Sequence, residues 1–264
     1  MREQAAVDLG IGMRDTSGIF TAQRYDDLVR ANDASIIEGV ATLAAHGGSK
    51  NPGYAGQYAY QQFLYAFDRV RCMYSRGDSI ADMRAYFPKV IELMQWAYEH
   101  YETKFYTPDI LEHRKSFRLN FDRYVLCLWL VSFAIALDIE PALQHRLLAL
   151  IGNEGEDALF DRLVAQQHPG RKIGAELLYP RIFQPLVDAL DAPEPKRSTL
   201  LVRYVSKWYE KMKRAHWHDT HLGKDGGGYV GYWCFEVAGV VKAFKIDDRA
   251  IRDLAYYPAD LAHA

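Results

Sequence analysis

The densest set of chemistry-bearing side chains in this chain is His216-Trp217-His218-Asp219-Thr220-His221. Alternating imidazoles beside a carboxylate are the ligand types that zinc, iron or manganese take, and such an ion would activate water for hydrolysis. Residues 216 and 218 would face different sides of one helix, however, so a shared ion requires the helix to have ended. Protonated histidines also suit the C-terminal end of a long helix, where the backbone carbonyls carry partial negative charge. The segment is therefore expected to be a structural terminus holding no metal. Gly226-Gly227-Gly228-Tyr229-Val230-Gly231 matches the spacing of a dinucleotide-binding turn. That turn works only between a strand and a helix, and here a helix and a loop precede it. No Gly-x-Ser-x-Gly elbow is present, and no cysteine has a setting that favours a thiolate. No catalytic residue and no cofactor is expected.

Carboxylates give two further leads. Glu236 lies among Trp233, Phe235, Val237 and Val240. A buried charge in such company must find donors, so Glu236 reads as an internal salt-bridge or hydrogen-bond anchor rather than as a catalytic acid. Acidic groups also gather at Asp26-Asp27, at Glu154, Glu156, Asp157 and Asp161, and at Asp188, Asp191 and Glu194. Glu154–Asp157 sits where a helix should begin, which favours negative charge. The sharper expectation is that Asp26, Asp27, Glu154, Glu156, Asp157 and Asp161 form an acidic contact surface for a basic protein partner, since complementary charge speeds encounter.

The elements that must position these groups are helical nearly throughout. Thr21 can cap a helix from about Ala22 to Ala45, stopped by Gly47-Gly48. After Asn51-Pro52-Gly53, the residues Tyr60, Phe63, Leu64, Phe67, Val70 and Tyr74 keep helical spacing to about Ser75. Ser79 can cap a third helix to about Tyr106, with a kink or break predicted at Pro88. Tyr124–Leu137 is hydrophobic all round and reads as the central helix, surrounded by others. Helices at Pro141–Ile151, Glu156–Gln167, Pro180–Leu190, Lys196–Trp217 and Val230–Phe244 complete the pattern. No period-two alternation persists, so the fold class is all-α, a compact bundle-like or orthogonal array with little or no sheet. A soft boundary near 107–118 divides an N-terminal part, 1–115, from a C-terminal part, 116–264, the two packed as one unit.

Composition limits the function classes. The net charge of −2 gives no whole-molecule reason to bind nucleic acid or an anionic membrane. Cys72, Cys127 and Cys234 are far apart and odd in number, so neither a disulfide framework nor a cysteine metal site is implied. The longest apolar run, roughly fourteen residues, falls short of the about twenty a membrane span needs. Glu3, Asp8, Arg14 and Asp15 leave no room for a signal peptide, and a cytoplasmic location is expected. Aromatic-rich helices could also leave a patch for a homodimer.

One run in the C-terminal part carries a resemblance. Tyr229, Gly231, Tyr232, Trp233, Phe235 and Glu236 are followed by Asp247-Asp248 and then by Tyr256-Tyr257-Pro258. Earlier pieces fit with it: Arg14-Asp15, Tyr74-Ser75-Arg76-Gly77, Asp122-Arg123-Tyr124 with Trp129, Asp157 with Leu159, Trp208-Tyr209, and Trp217, Asp219 and His221 at alternate positions. This set resembles the PoNi-type immunity proteins, helical bacterial proteins that neutralise polymorphic nuclease toxins. The resemblance implies an all-α inhibitor without catalytic residues. It would block a cognate toxin, a DNase delivered by a type VI or similar secretion system. It also implies that Trp217, Asp219, His221, Tyr229, Gly231, Tyr232, Trp233, Glu236, Asp247, Asp248, Tyr257 and Pro258 lock the C-terminal helices together. The alternative from another class is a helical HD-like metal-dependent phosphohydrolase using His218-Asp219.

Overall fold

A computed structural model describes residues 12–46 and 52–264. The helix stop expected at Gly47-Gly48 and Asn51 of the following turn lie outside the described residues. The order is α1 (Ala22–His46), α2 (Pro52–Arg76), α3 (Ile80–Ala97), a π turn (Tyr98–Glu102), α4 (Thr103–Phe105), α5 (Pro108–Lys115), α6 (Phe121–Ala136), α7 (Pro141–Ile151), α8 (Ala158–Ala165), α9 (Pro180–Asp191), α10 (Glu194–Lys211), α11 (Phe235–Phe244) and α12 (Ala259–Ala262). No strand occurs among the described residues, so the fold is all-α.

The central helix is α6. All of its residues except Asp122 and Leu126 are buried, as a helix apolar on every side must be. Ser132, the polar interruption in that run, donates to the Leu128 carbonyl at 2.8 Å and so costs no unpaired group. It stands at the crossing with α11. A Cβ on Gly239 would meet the Ser132 Cβ at 2.6 Å, so the closeness of these two helices requires a residue without a side chain. Around this axis α2 packs against both α1 and α3, α9 against α10, and α7 against α3 and α6. One continuous core cluster runs from Phe20 to Ala262. Leu43, Ala55, Ala59 and Ala97 form a small second cluster where α1, α2 and the end of α3 meet.

Several boundaries differ from the sequence expectation. α3 runs unbroken through Pro88, because Met83, Phe87, Val90 and Ile91 are buried and their packing outweighs the lost N–H. The 107–118 stretch contains α5, begun by Thr107, which accepts from the Ile110 N–H, and by Pro108 at the first helical position. α10 stops at Lys211, well before Trp217. The last long helix starts at Phe235 rather than Val230, because Gly231 takes a left-handed φ of 95° that an α-helix cannot contain.

Candidate functional site

Several of the signature residues meet in three buried hydrogen-bonded locks. The first is Glu236, wholly buried in the first turn of α11. Its carboxylate accepts from Trp129 Nε1 at 2.8 Å on α6, and from Tyr204 Oη at 2.8 Å and Trp208 Nε1 at 2.7 Å on α10. One side chain thus ties three helices, and its partners are ring donors rather than an arginine. Burial pushes the carboxyl above its usual range, and its own backbone N–H with Tyr204 and Trp129 offset only part of that. Trp217 stacks on Trp208, ring centroids 5.3 Å apart and 18° from parallel, and lies 5.4 Å from Trp129, closing the aromatic layer over the carboxylate.

The second lock joins the N-terminal segment to α2 and the 229–233 stretch. Ser75 donates through Oγ to the Val230 carbonyl at 2.7 Å and accepts from Trp233 Nε1 at 2.9 Å. Its carbonyl accepts the Arg14 and Asp15 N–H groups. A Cβ at Gly231 would fall 2.1 Å from Ser75 Oγ, so contact and φ both demand glycine there. Asp15, also buried, accepts from Tyr229 Oη at 2.9 Å, from Tyr25 Oη and from the Ser17 N–H. The third lock is Asp248. It accepts from Tyr257 Oη at 2.8 Å and Arg252 Nε at 2.7 Å and contacts His263 Nε2 at 2.7 Å. Burial alone would raise its pKa, but these three partners hold it below the ordinary carboxylate value. Asp247 instead pairs with Arg249 at the surface, which lowers it to about 2, and Pro258 is buried just before α12.

The histidine cluster does not converge. His216 Nδ1 lies 2.9 Å from Asp122 Oδ1, and the same oxygen takes the His216 N–H. His218 stacks on Tyr209 with centroids 4.2 Å apart and sits 3.1 Å from Asp219. His221 Nδ1 meets Tyr232 Oη at 2.8 Å. Asp219, in a left-handed conformation, accepts from Tyr209 Oη at 2.7 Å. These residues follow α10 through turns instead of ending it. Among the described residues no three His, Cys, Asp or Glu side chains are grouped to hold a metal ion. Residues 226–231 lie between a 3₁₀ turn and an irregular stretch, with no strand before them.

The six acidic candidates separate. Asp157 and Asp161 are buried, which corrects their place in an exposed acidic surface. Asp157 caps α8 by accepting the Phe160 N–H at 2.9 Å, and takes Tyr124 Oη at 3.0 Å and the Leu178 N–H at 2.8 Å. Asp161 accepts the Gly155 and Gly174 N–H groups, each at 3.0 Å, and forms a buried ion pair with Arg171 at 2.7 Å. Every oxygen is used internally, so neither carboxylate is presented to a partner. Asp26 pairs with Arg76 at 2.8 Å and Asp27 with Arg30. Glu154 accepts the Lys172 N–H at 2.7 Å, and Glu156 is exposed.

Unforeseen in the sequence is an open cleft of about 630 Å³ between the 14–19 segment, the 229–233 stretch and residues 252–260. Half-buried Tyr209, Tyr232 and Tyr256 contribute to its walls. The one signal for it was the tyrosine density near the C-terminus.

The Glu236 cluster ties α6, α10 and α11, the Ser75–Asp15 cluster ties the N-terminal segment, α1 and α2 to the 229–233 stretch, and the Asp248 cluster holds the 248–263 segment together in this helical protein. The family model described as PoNe immunity protein (PoNi), N-terminal, matches residues 54–149, and the one described as PoNe immunity proteins (PoNi), C-terminal, matches residues 155–261. The chain belongs to the PoNi immunity protein family. The crystal structure of protein PA2201 from Pseudomonas aeruginosa has the same fold. Its TM-score is 0.71 at 19% identity, over 99% of this chain and 93% of that one. No curated protein sequence matches the chain. No helix among the described residues is long and apolar enough to cross a membrane.

Proposed function

We propose that this chain binds a cognate antibacterial nuclease toxin, a DNase delivered by a type VI or similar secretion system, and blocks it in the cytoplasm of the producing cell. The observation that carries this reading is the match of both halves of the immunity family, together spanning residues 54–149 and 155–261. Its action is binding rather than catalysis. In support, Glu236, Asp248, Asp157 and Asp161 spend their oxygens on internal donors. His216, His218 and His221 turn to three different partners, and nothing in that arrangement favours the phosphohydrolase alternative. A blocking interface of ordinary size takes about 800 Å² from each partner, which a chain of this length can supply.

The deciding experiment is survival of cells expressing the toxic product of the adjacent gene, with and without this chain. Rescue together with co-purification of the two proteins is the expected result. Toxicity that persists in the presence of folded protein, with no complex, would overturn the reading.

A further inference from the structure

The cleft has a definite chemistry. Tyr209 stacks on Tyr256, centroids 5.5 Å apart and 17° from parallel, and lies 4.8 Å from Tyr232, which in turn meets Tyr229 at 4.7 Å. The half-buried rings of Tyr209, Tyr232 and Tyr256 thus line a preformed concavity, with Tyr229 buried against Tyr232. Tyrosine is enriched in the anchor clusters of protein interfaces, and here Arg14, Asp15, Arg252, Asp253 and Asp260 share the cleft with these rings.

The charge balance shows what such a pocket would take. Two arginines reach the cleft, and both are neutralised. Arg14 pairs with Asp260 at 2.7 Å and donates to the Tyr74 and Asp78 carbonyls. Arg252 pairs with Asp248 at 2.7 Å. Of the carboxylates on the cleft, Asp15 is buried and spends both oxygens on Tyr25, Tyr229 and the Ser17 N–H, whereas Asp253 is exposed at the rim and has no counter-ion among the described residues. Ring faces are negative as well, so they attract a cation in the same sense as Asp253 does.

We propose that this cleft is the anchor site of the interface and receives a basic side chain, an arginine, projected by the partner protein. The planar guanidinium stacks on phenol faces and offers donors to Asp253, which a compact ammonium does less well. This rests on the reading that the chain grips a partner and adds where and by what chemistry. It also fits a nuclease partner, because a protein that binds phosphate chains displays arginine and lysine on its working face.

The test titrates the full chain, labelled with fluorotyrosine, with N-acetyl-arginine amide and separately with N-acetyl-glutamate amide up to tens of millimolar. Shifts confined to Tyr209, Tyr232 and Tyr256, produced by the arginine probe and abolished in Asp253→Lys, are expected. No shift with arginine, or equal shifts with glutamate, would overturn the assignment. The Asp253 side chain makes no hydrogen bond or ion pair among the described residues, so an unchanged melting temperature is expected of the variant and is measured alongside. With the toxin itself, Asp253→Lys should weaken binding at least tenfold. Equal binding by wild type and variant would refute the cleft while leaving the immunity reading intact. A wild-type chain that binds no toxin would refute the immunity reading, and the arginine titration would still decide the cleft.

Discussion

At the scale of single residues, the most informative position is Glu236. Its three ring donors have no other acceptor, so Glu236→Ala would leave them unpaired in the core and open a void. The expected cost is about 3–5 kcal/mol, a fall in melting temperature of roughly 10 °C for a chain of this size. Unchanged thermal unfolding would show that the lock is not one. Gly231→Ala should lose about 2 kcal/mol or more, from the left-handed φ and from the clash with Ser75 Oγ, measured by denaturant unfolding. Titration adds a signed prediction. Burial raises the folded pKa of Glu236, so the folded state binds more protons there than the unfolded state above about pH 4.3. Stability should fall as pH rises from there through the folded value, and Glu236→Gln should flatten that slope. Asp248 acts with the opposite sign, since its folded pKa is lowered. Its contribution is present above about pH 3.9 and is lost as pH falls through the folded value. Denaturation midpoints across the acid range test both slopes.

At the scale of elements, α8 shows how a short helix is held. Eight residues are too few to be stable alone, so its cap and its burial decide. Asp157 supplies the cap and also ties the helix to Tyr124 on α6 and to the 174–178 loop. Asp157→Ala should therefore cost about 2 kcal/mol, more than loss of a simple surface cap, whereas Glu156→Ala next to it should leave stability unchanged. Equal effects at the two positions, read by thermal unfolding, would contradict this division. The start of this helix was legible from an acidic residue ahead of an apolar run. That Asp157 faces inward and Glu156 outward was not legible, because it depends on where Leu178 and Tyr124 lie.

At the scale of the whole molecule, Asp27 and Glu156, exposed like Glu154 but without the backbone N–H that Glu154 accepts, test steering towards a basic partner. If they belong to the interface, reversing both to Lys should slow association with the toxin and weaken its salt dependence, with little change in dissociation. Surface binding kinetics at two ionic strengths measure this. An unchanged association rate would move the interface away from these residues and leave the tyrosine cleft as its anchor.

The all-α class followed from the sequence because helical periodicity is a local property: each apolar stripe is written in consecutive residues, and α6 could be placed at the centre from its composition alone. The role of Glu236 was legible for a related reason, since a carboxylate among Trp, Phe and Val can survive only if donors reach it. Its donors could not be named, because Trp129, Tyr204 and Trp208 come from helices far away in sequence. Only the tertiary structure decided which carboxylates are spent inside, as at Asp157 and Asp161, and which remain outside. The same holds for the histidines, adjacent in sequence yet turned to separate partners once α10 ends at Lys211. The cleft, assembled from segments over two hundred residues apart, exists only in the packed chain, because which side chains share a concavity is set by long-range packing and not by local order.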